Sequence, residues 1–132
     1  MSETKPKELL AQAGRDMAGA FSARLCAIGV ELGIFKDLDR NGRSTSEQIA
    51  TRMGLNERYL REWLHGIVLS GYVEFDKTTR EAWLSVQQAQ VLVEDGGRFA
   101  QFGAFKLLNS ALLPYDNLLT AFRDGGGIGF ED

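Results

Sequence analysis

Metal binding, nucleophilic attack and proton transfer each need particular side chains at particular spacings, and this chain offers few of them. His65 is the one histidine and Cys26 the one cysteine. They lie far apart, so no zinc set of usual spacing can be written. No residue is nominated as catalytic, cofactor-binding or metal-ligating. A lone histidine on a helix reads as a satisfied surface or interface residue. Cys26 sits among apolar residues and reads as a buried packing residue, since free cysteine behaves as a small hydrophobe. The charged residues Glu57, Arg58, Arg61 and Glu62 form two i,i+4 pairs, Glu57–Arg61 and Arg58–Glu62. Such pairs describe a solvated, salt-bridged helix face rather than an acid–base couple. The run Gly125-Gly126-Gly127-Ile128-Gly129 contains G-x-G, but a phosphate-cradling loop follows a strand and opens a helix. This run follows a helical pattern, so it reads as a glycine-rich hinge.

The elements that would position these residues follow from hydrophobic periodicity. Leu10, Ala13, Met17, Ala20, Phe21, Leu25, Ile28 and Leu32 fall at helical spacing, predicting a helix over 7–32. It is also rich in small residues, among them Gly14, Ala18, Gly19, Ala20, Ser22, Ala23, Ala27 and Gly29. Small side chains let another helix approach closely. The partner is either a second subunit or the rest of this chain. A short helix over 34–38 is followed by a predicted polar turn over 39–43. Ser44-Thr45-Ser46-Glu47 carries a capping-box pattern, with the Ser44 hydroxyl and Glu47 as the expected reciprocal pair. A helix over 45–53 presents Ile49, Ala50 and Met53, and Gly54 suits its end. Leu55 is expected to plug inward. Asn56 is a good N-cap for a helix over 57–70, which buries Tyr59 or Leu60, then Trp63, Leu64, Ile67 and Val68.

Two helices joined by a short glycine-containing turn are a helix-turn-helix pattern. Tyr72-Val73-Glu74-Phe75 alternates as a strand should. Asp76-Lys77-Thr78-Thr79 is a turn and residues 80–84 return, with Trp83 as the expected core anchor. Ser85 caps a helix over 86–93. Two more helical stretches are expected over 98–108 and 111–123, the latter with Pro114 in its first turn. The expected fold is mainly α with a small β-wing: a winged helix-turn-helix with flanking N- and C-terminal helices. As one domain it divides into a dimerisation helix (7–33), winged helix (34–93), C-terminal helices (97–124) and glycine-rich hinge or tail (125–132).

The chain has 132 residues, 44% of them hydrophobic and 25% charged, ordinary for a soluble globular protein. No apolar run approaches the ~18 residues of a membrane span, and Met1–Lys7 lacks an apolar signal core. A cytoplasmic location is therefore expected, without membrane association. Net charge is −3. Residues 1–43 hold seven basic and six acidic side chains, 44–93 five and six, and 94–132 three and six. Nucleic-acid binding normally leaves a clustered Lys/Arg footprint, and none stands out.

Glu31-Leu32-Gly33-Ile34-Phe35 resembles the E-L-G-[IL]-F segment near the start of many winged-helix class I S-adenosylmethionine-dependent methyltransferases. Leu55-Asn56-Glu57-Arg58-Tyr59-Leu60-Arg61-Glu62-Trp63-Leu64 resembles a helix of one bacterial small-molecule branch, L-N-E-R-Y-[VL]-R-E-W-L. Gly71-Tyr72-Val73-Glu74-Phe75-Asp76 is similar to its wing strand. Residues 125–132 are similar to its G-G-G-V-P-[WYF]-x-D, with Gly129 in place of the usual proline. The resemblance covers nearly the whole chain. In that family this region mediates homodimerisation and closes over the substrate side of a catalytic domain that binds the methyl donor.

What the resemblance implies is a non-catalytic dimerisation and substrate-lid module, truncated or stand-alone, that is inactive by itself. S-adenosylmethionine is a cofactor only where a catalytic domain or partner chain is present. The expected partners are a second copy of this chain and a separate catalytic methyltransferase chain. Met17, Ala20, Phe21, Arg24, Ala27 and Ile28 are the dimer-interface candidates. Phe99, Phe102, Phe105, Tyr115 and Phe122 are the substrate-pocket candidates, although residue by residue a core role is the more ordinary reading of such aromatics. The alternative is a winged-helix transcriptional regulator. Against it, the helix that would enter the major groove balances Arg58 and Arg61 with Glu57 and Glu62, and the wing offers Lys77 and Arg80 beside Asp76 and Glu81.

Overall fold

The computed structural model describes residues 4–94, 97, 100, 103–105, 108 and 115–126. The element order is α1 (Thr4–Leu32), α2 (Ile34–Asn41), α3 (Ser46–Met53), α4 (Glu57–Leu69), β1 (Glu74–Asp76), β2 (Glu81–Trp83) and α5 (Val86–Leu92). A further helix, α6, spans Tyr115–Asp124. The mainly helical fold with a small wing is as expected, and among the described residues the sheet is the β1–β2 hairpin.

Helix boundaries are set by side chains that compete for backbone groups. Gly33, in the left-handed region at φ 81°, separates α1 from α2, and the two helices meet at a bend of 68°. Helix α2 runs on to Asn41 through the expected turn at 39–43. The Asn41 amide donates to the Asp37 carbonyl and carboxylate at 2.9 and 3.1 Å, which supports the last turn.

The capping box of α3 is displaced by one residue from the sequence expectation. Thr45 is the N-cap, accepting from the Gln48 N–H, and the Gln48 side chain accepts from the Thr45 N–H. Ser44 cannot serve because its backbone is already committed. It forms a two-way bridge with Ala82 at 3.0 and 2.8 Å. Its buried hydroxyl donates to the Gly42 carbonyl and accepts from Arg52. That bridge ties the wing to the start of the helix-turn-helix. Gly54 ends α3 at φ 68°, and Asn56 caps α4 as expected, accepting from the Tyr59 N–H.

The core lies where α1, α2, α4 and the wing converge. Phe35, Ile34, Leu38, Ile49 and Ile67 are fully buried. Leu60 takes the core position on α4 and Tyr59 points outward, 74% exposed, resolving the choice between neighbours. On β2 the inward residue is Ala82, not Trp83. The register pairs Phe75 with Ala82, so Trp83 falls on the opposite face and carries the Arg43 guanidinium 4.0 Å above its ring. Cys26 is buried among these residues, and that burial pushes its thiol pKa up to about 12, leaving it a packing group.

Among the described residues no single helix is long and apolar enough to cross a membrane. Among them, too, no group of three His, Cys, Asp or Glu side chains could hold a metal ion.

Candidate functional site

Two surfaces stand out, and both are built on α1. The C-terminal half of this helix is locked to the winged helix. The Trp63 indole N–H donates to the Leu25 carbonyl at 2.8 Å, and the Phe35 and Trp63 rings pack with centroids 5.5 Å apart. A Cβ on Gly29 would come within 2.5 Å of Phe35 and 2.7 Å of Trp63. One on Gly66 would come within 2.6 Å of Leu25 Cδ1. The Ser22 and Ser70 hydroxyls meet at 2.8 Å. The small residues of α1 therefore divide into two sets: Ser22, Ala27 and Gly29 serve the chain's own packing, whereas Gly14 and Gly19 face open space.

The N-terminal half has no such support. Every residue from Lys5 to Phe21 is exposed. Along one side run Leu10, Gly14, Met17, Phe21, Arg24 and Ile28 at alternating spacings of three and four, the pattern of a helix seam that meets another helix. Leu10 is 74% exposed, Met17 61% and Phe21 75%. Leu9, on a neighbouring face, is exposed as well. Of the interface candidates, Met17, Ala20, Phe21, Arg24 and Ile28 are exposed on this helix. Ala27 is not: it is 5% exposed, turned into the chain's own core, and has no surface to offer a partner.

The seam leads into a groove. Leu25, Ile28 and Leu32 of α1 face Leu55, Tyr59, Glu62 and Trp63 across a cavity of about 490 Å³, within the ~300–1,000 Å³ of small-molecule pockets. The groove is not legible in the sequence, where Tyr59 and Leu60 read as alternatives for one core position. The signal available was the pairing of an apolar Leu32 with an outward Tyr59 on elements that cross.

Of the aromatic pocket candidates, three fall among the described residues. Phe99 and Phe102 lie outside the described residues. Phe105 is partly buried and meets Tyr72 edge-on, with centroids 5.9 Å apart. Burial raises the Tyr72 hydroxyl pKa, with a smaller contribution from Cys26. Tyr115 and Phe122 stand on α6, 73% and 84% exposed.

The wing side is polar. Asp76 accepts from the Thr78 and Thr79 N–H groups at 2.8 and 3.2 Å, an Asx turn. Those bonds, reinforced by Arg43, hold its carboxyl below the usual range. Arg80 closes the turn with its N–H on the Asp76 carbonyl at 2.7 Å. On α4 the two sequence-predicted pairs form, Arg58–Glu62 at 3.5 Å and Arg61–Glu57 at 3.6 Å. His65 lies on the exposed face of the same helix.

Known proteins share this architecture. The solved structure of PigF with SAH is 22% identical, with a TM-score of 0.70 over 86% of this chain and 33% of its own. The mitomycin 7-O-methyltransferase MmcR is 19% identical, with a TM-score of 0.70 over 96% of this chain and 37% of its own. The chain thus spans about a third of the length of these structures, and at such identity the likeness is one of fold. No curated protein matches the chain. The family of Rv2258c-like winged HTH domains matches residues 20–94, from within α1 to the end of the wing helix α5, and the chain belongs to that family.

Proposed function

We propose that this chain is the dimerising and substrate-covering module of an S-adenosylmethionine-dependent small-molecule methyltransferase, and that it supplies no catalytic group. The observation that carries the reading is the unsupported half of α1. A helix of that length is marginal in water on its own, and this one displays Leu10, Met17 and Phe21 along a single seam. Such a seam is satisfied by a second copy about a two-fold axis, where each helix packs against its equivalent. The groove that continues it and the exposed Tyr115, Leu118 and Phe122 of α6 give the covering role apolar surface to work with. The fold shared with a mitomycin 7-O-methyltransferase supports the methyltransferase setting. Methyl-donor binding and transfer belong to a catalytic domain or chain outside these residues. The major-groove reading is less well supported, because Arg58 and Arg61 are each paired with a glutamate.

Light scattering on the purified chain tests the dimer. The expected mass is twice 14.6 kDa. Phe21→Glu should raise the dimer dissociation constant by more than about tenfold, since a central aromatic anchor commonly contributes at least ~2 kcal/mol. Because Phe21 lies outside the core, the urea midpoint of the winged helix in the diluted protein should not move. A monomeric wild type at high concentration overturns the reading.

A further inference from the structure

The recess between α4 and the wing combines basic side chains with apolar ones. It encloses about 310 Å³ and is lined by Ser46, Glu47, Arg61, Leu64, His65, Phe75, Lys77 and Arg80. Its basic and polar nitrogen-bearing side chains come from two directions. Arg61 and His65 stand one turn apart on α4, and Lys77 and Arg80 come from the wing turn. Among the described residues, the side chains of His65, Lys77 and Arg80 take part in no hydrogen bond or ion pair. Arg61 is tethered by Glu57 at 3.6 Å.

The backbone supplies a second, independent observation. Arg80 has φ 60°, and among the described residues it is the non-glycine residue in the left-handed region. Glycine or asparagine would hold that turn at less cost. The hairpin turn itself calls for this conformation, and an arginine filling it is a strained choice. It places a charged side chain at the lip of the recess. Opposite it stands Glu47, whose carboxyl is lowered chiefly by its own backbone N–H, with smaller contributions from Thr45, Ser46 and the Arg80 charge.

We propose that this recess binds a small organic anion, its phosphate or carboxylate held by Lys77, Arg80 and Arg61 and its apolar body resting on Leu64 and Phe75. The volume suits a compound of about one ring, at the lower end of ligand-pocket sizes. A nucleic-acid backbone fits less well. Leu64 and Phe75 in the lining are apolar, and the Glu47 carboxylate beside them is repulsive to a continuous run of phosphates. The site is separate from the α1 seam and its groove, so it stands whether or not the dimerising role does.

The test is titration of the full chain with phenyl phosphate, followed by amide ¹H–¹⁵N shifts. Saturable shifts are expected at Arg61, His65, Lys77 and Arg80, with weaker binding of inorganic phosphate, which lacks the apolar body. Lys77→Gln combined with Arg80→Asn, the second chosen because asparagine tolerates the left-handed backbone, should weaken binding by at least about tenfold. Unchanged Trp63 and Trp83 indole signals report that this variant is folded. Glu47→Gln should tighten binding, a gain that misfolding cannot mimic. Unsaturated or absent shifts at millimolar phenyl phosphate overturn the proposal, as does equal affinity in the double variant. Tighter, salt-sensitive binding of random duplex DNA at the same amides would instead make this face a nucleic-acid surface.

Discussion

Two glycines show how a single hydrogen in place of a methyl group sets the packing of this domain. Both Gly29 and Gly66 leave room for a neighbour that a Cβ would displace, but the neighbours differ. At Gly66 the obstacle is the end of Leu25, which can swing about 30° off its rotamer at ~0.5–1.5 kcal/mol, while alanine in a helix interior returns about 1 kcal/mol. Gly66→Ala should therefore be close to neutral. At Gly29 the obstacles are the Phe35 and Trp63 rings, and Trp63 is further pinned by its bond to the Leu25 carbonyl. Gly29→Ala should lower stability by about 1–3 kcal/mol. Urea denaturation of the two variants side by side checks the contrast, and equal midpoints would show that the rings yield as easily as a leucine. Glycine in a helical pattern said that something was close. It could not say what, since the rings come from α2 and α4.

Local signals were legible where they depend on neighbours in sequence and shifted where a distant strand intervened. Asn56 and Gly54 occupy their expected roles because a cap needs only its own helix. Ser44 does not, because Ala82, far along the chain, claims its backbone. The same pairing decides the phase of β2 and turns Ala82, not Trp83, inward. A capping test follows. Thr45→Ala removes the side chain that accepts from Gln48 and should cost about 1 kcal/mol. Thr45→Ser should be nearly silent, since the hydroxyl is what accepts. Thermal unfolding of both variants separates them, and a full loss with serine would assign the effect to the Thr45 methyl group. The absence of regular structure cues at 78–80 hid the left-handed Arg80, since glycine or asparagine usually marks such a position.

For the whole molecule, α1 divides in two. The half from Ser22 onward is held by the winged helix, and the half before it is exposed throughout, the half that the proposed dimer would cover. Amide hydrogen exchange should reveal that division. Protection across Glu8–Gly19 should rise with protein concentration, whereas protection in α4 should not. Exchange in Glu8–Gly19 that is slow and independent of concentration would show a helix stable without a second copy. Charge and composition limited the function classes, and the helix-turn-helix order with its wing was readable from periodicity alone. The groove under Tyr59 and the wing recess were not, because each is assembled from elements whose crossing geometry no local pattern encodes.

The exposed half of α1 also behaves mechanically as a lever. From Ser22 to Lys5 it extends about 25 Å at 1.5 Å per residue, so a tilt of about 10° at its base carries the tip ~4 Å, more than the ~2.3 Å radius of a helix backbone. Over that reach the aim of the arm is governed by the few contacts at its fulcrum: the Ser22–Ser70 hydroxyl pair, the Trp63–Leu25 bond and the close fit around Gly29. Small residues chosen for tight contact at the fulcrum are thus what give a distant seam its direction.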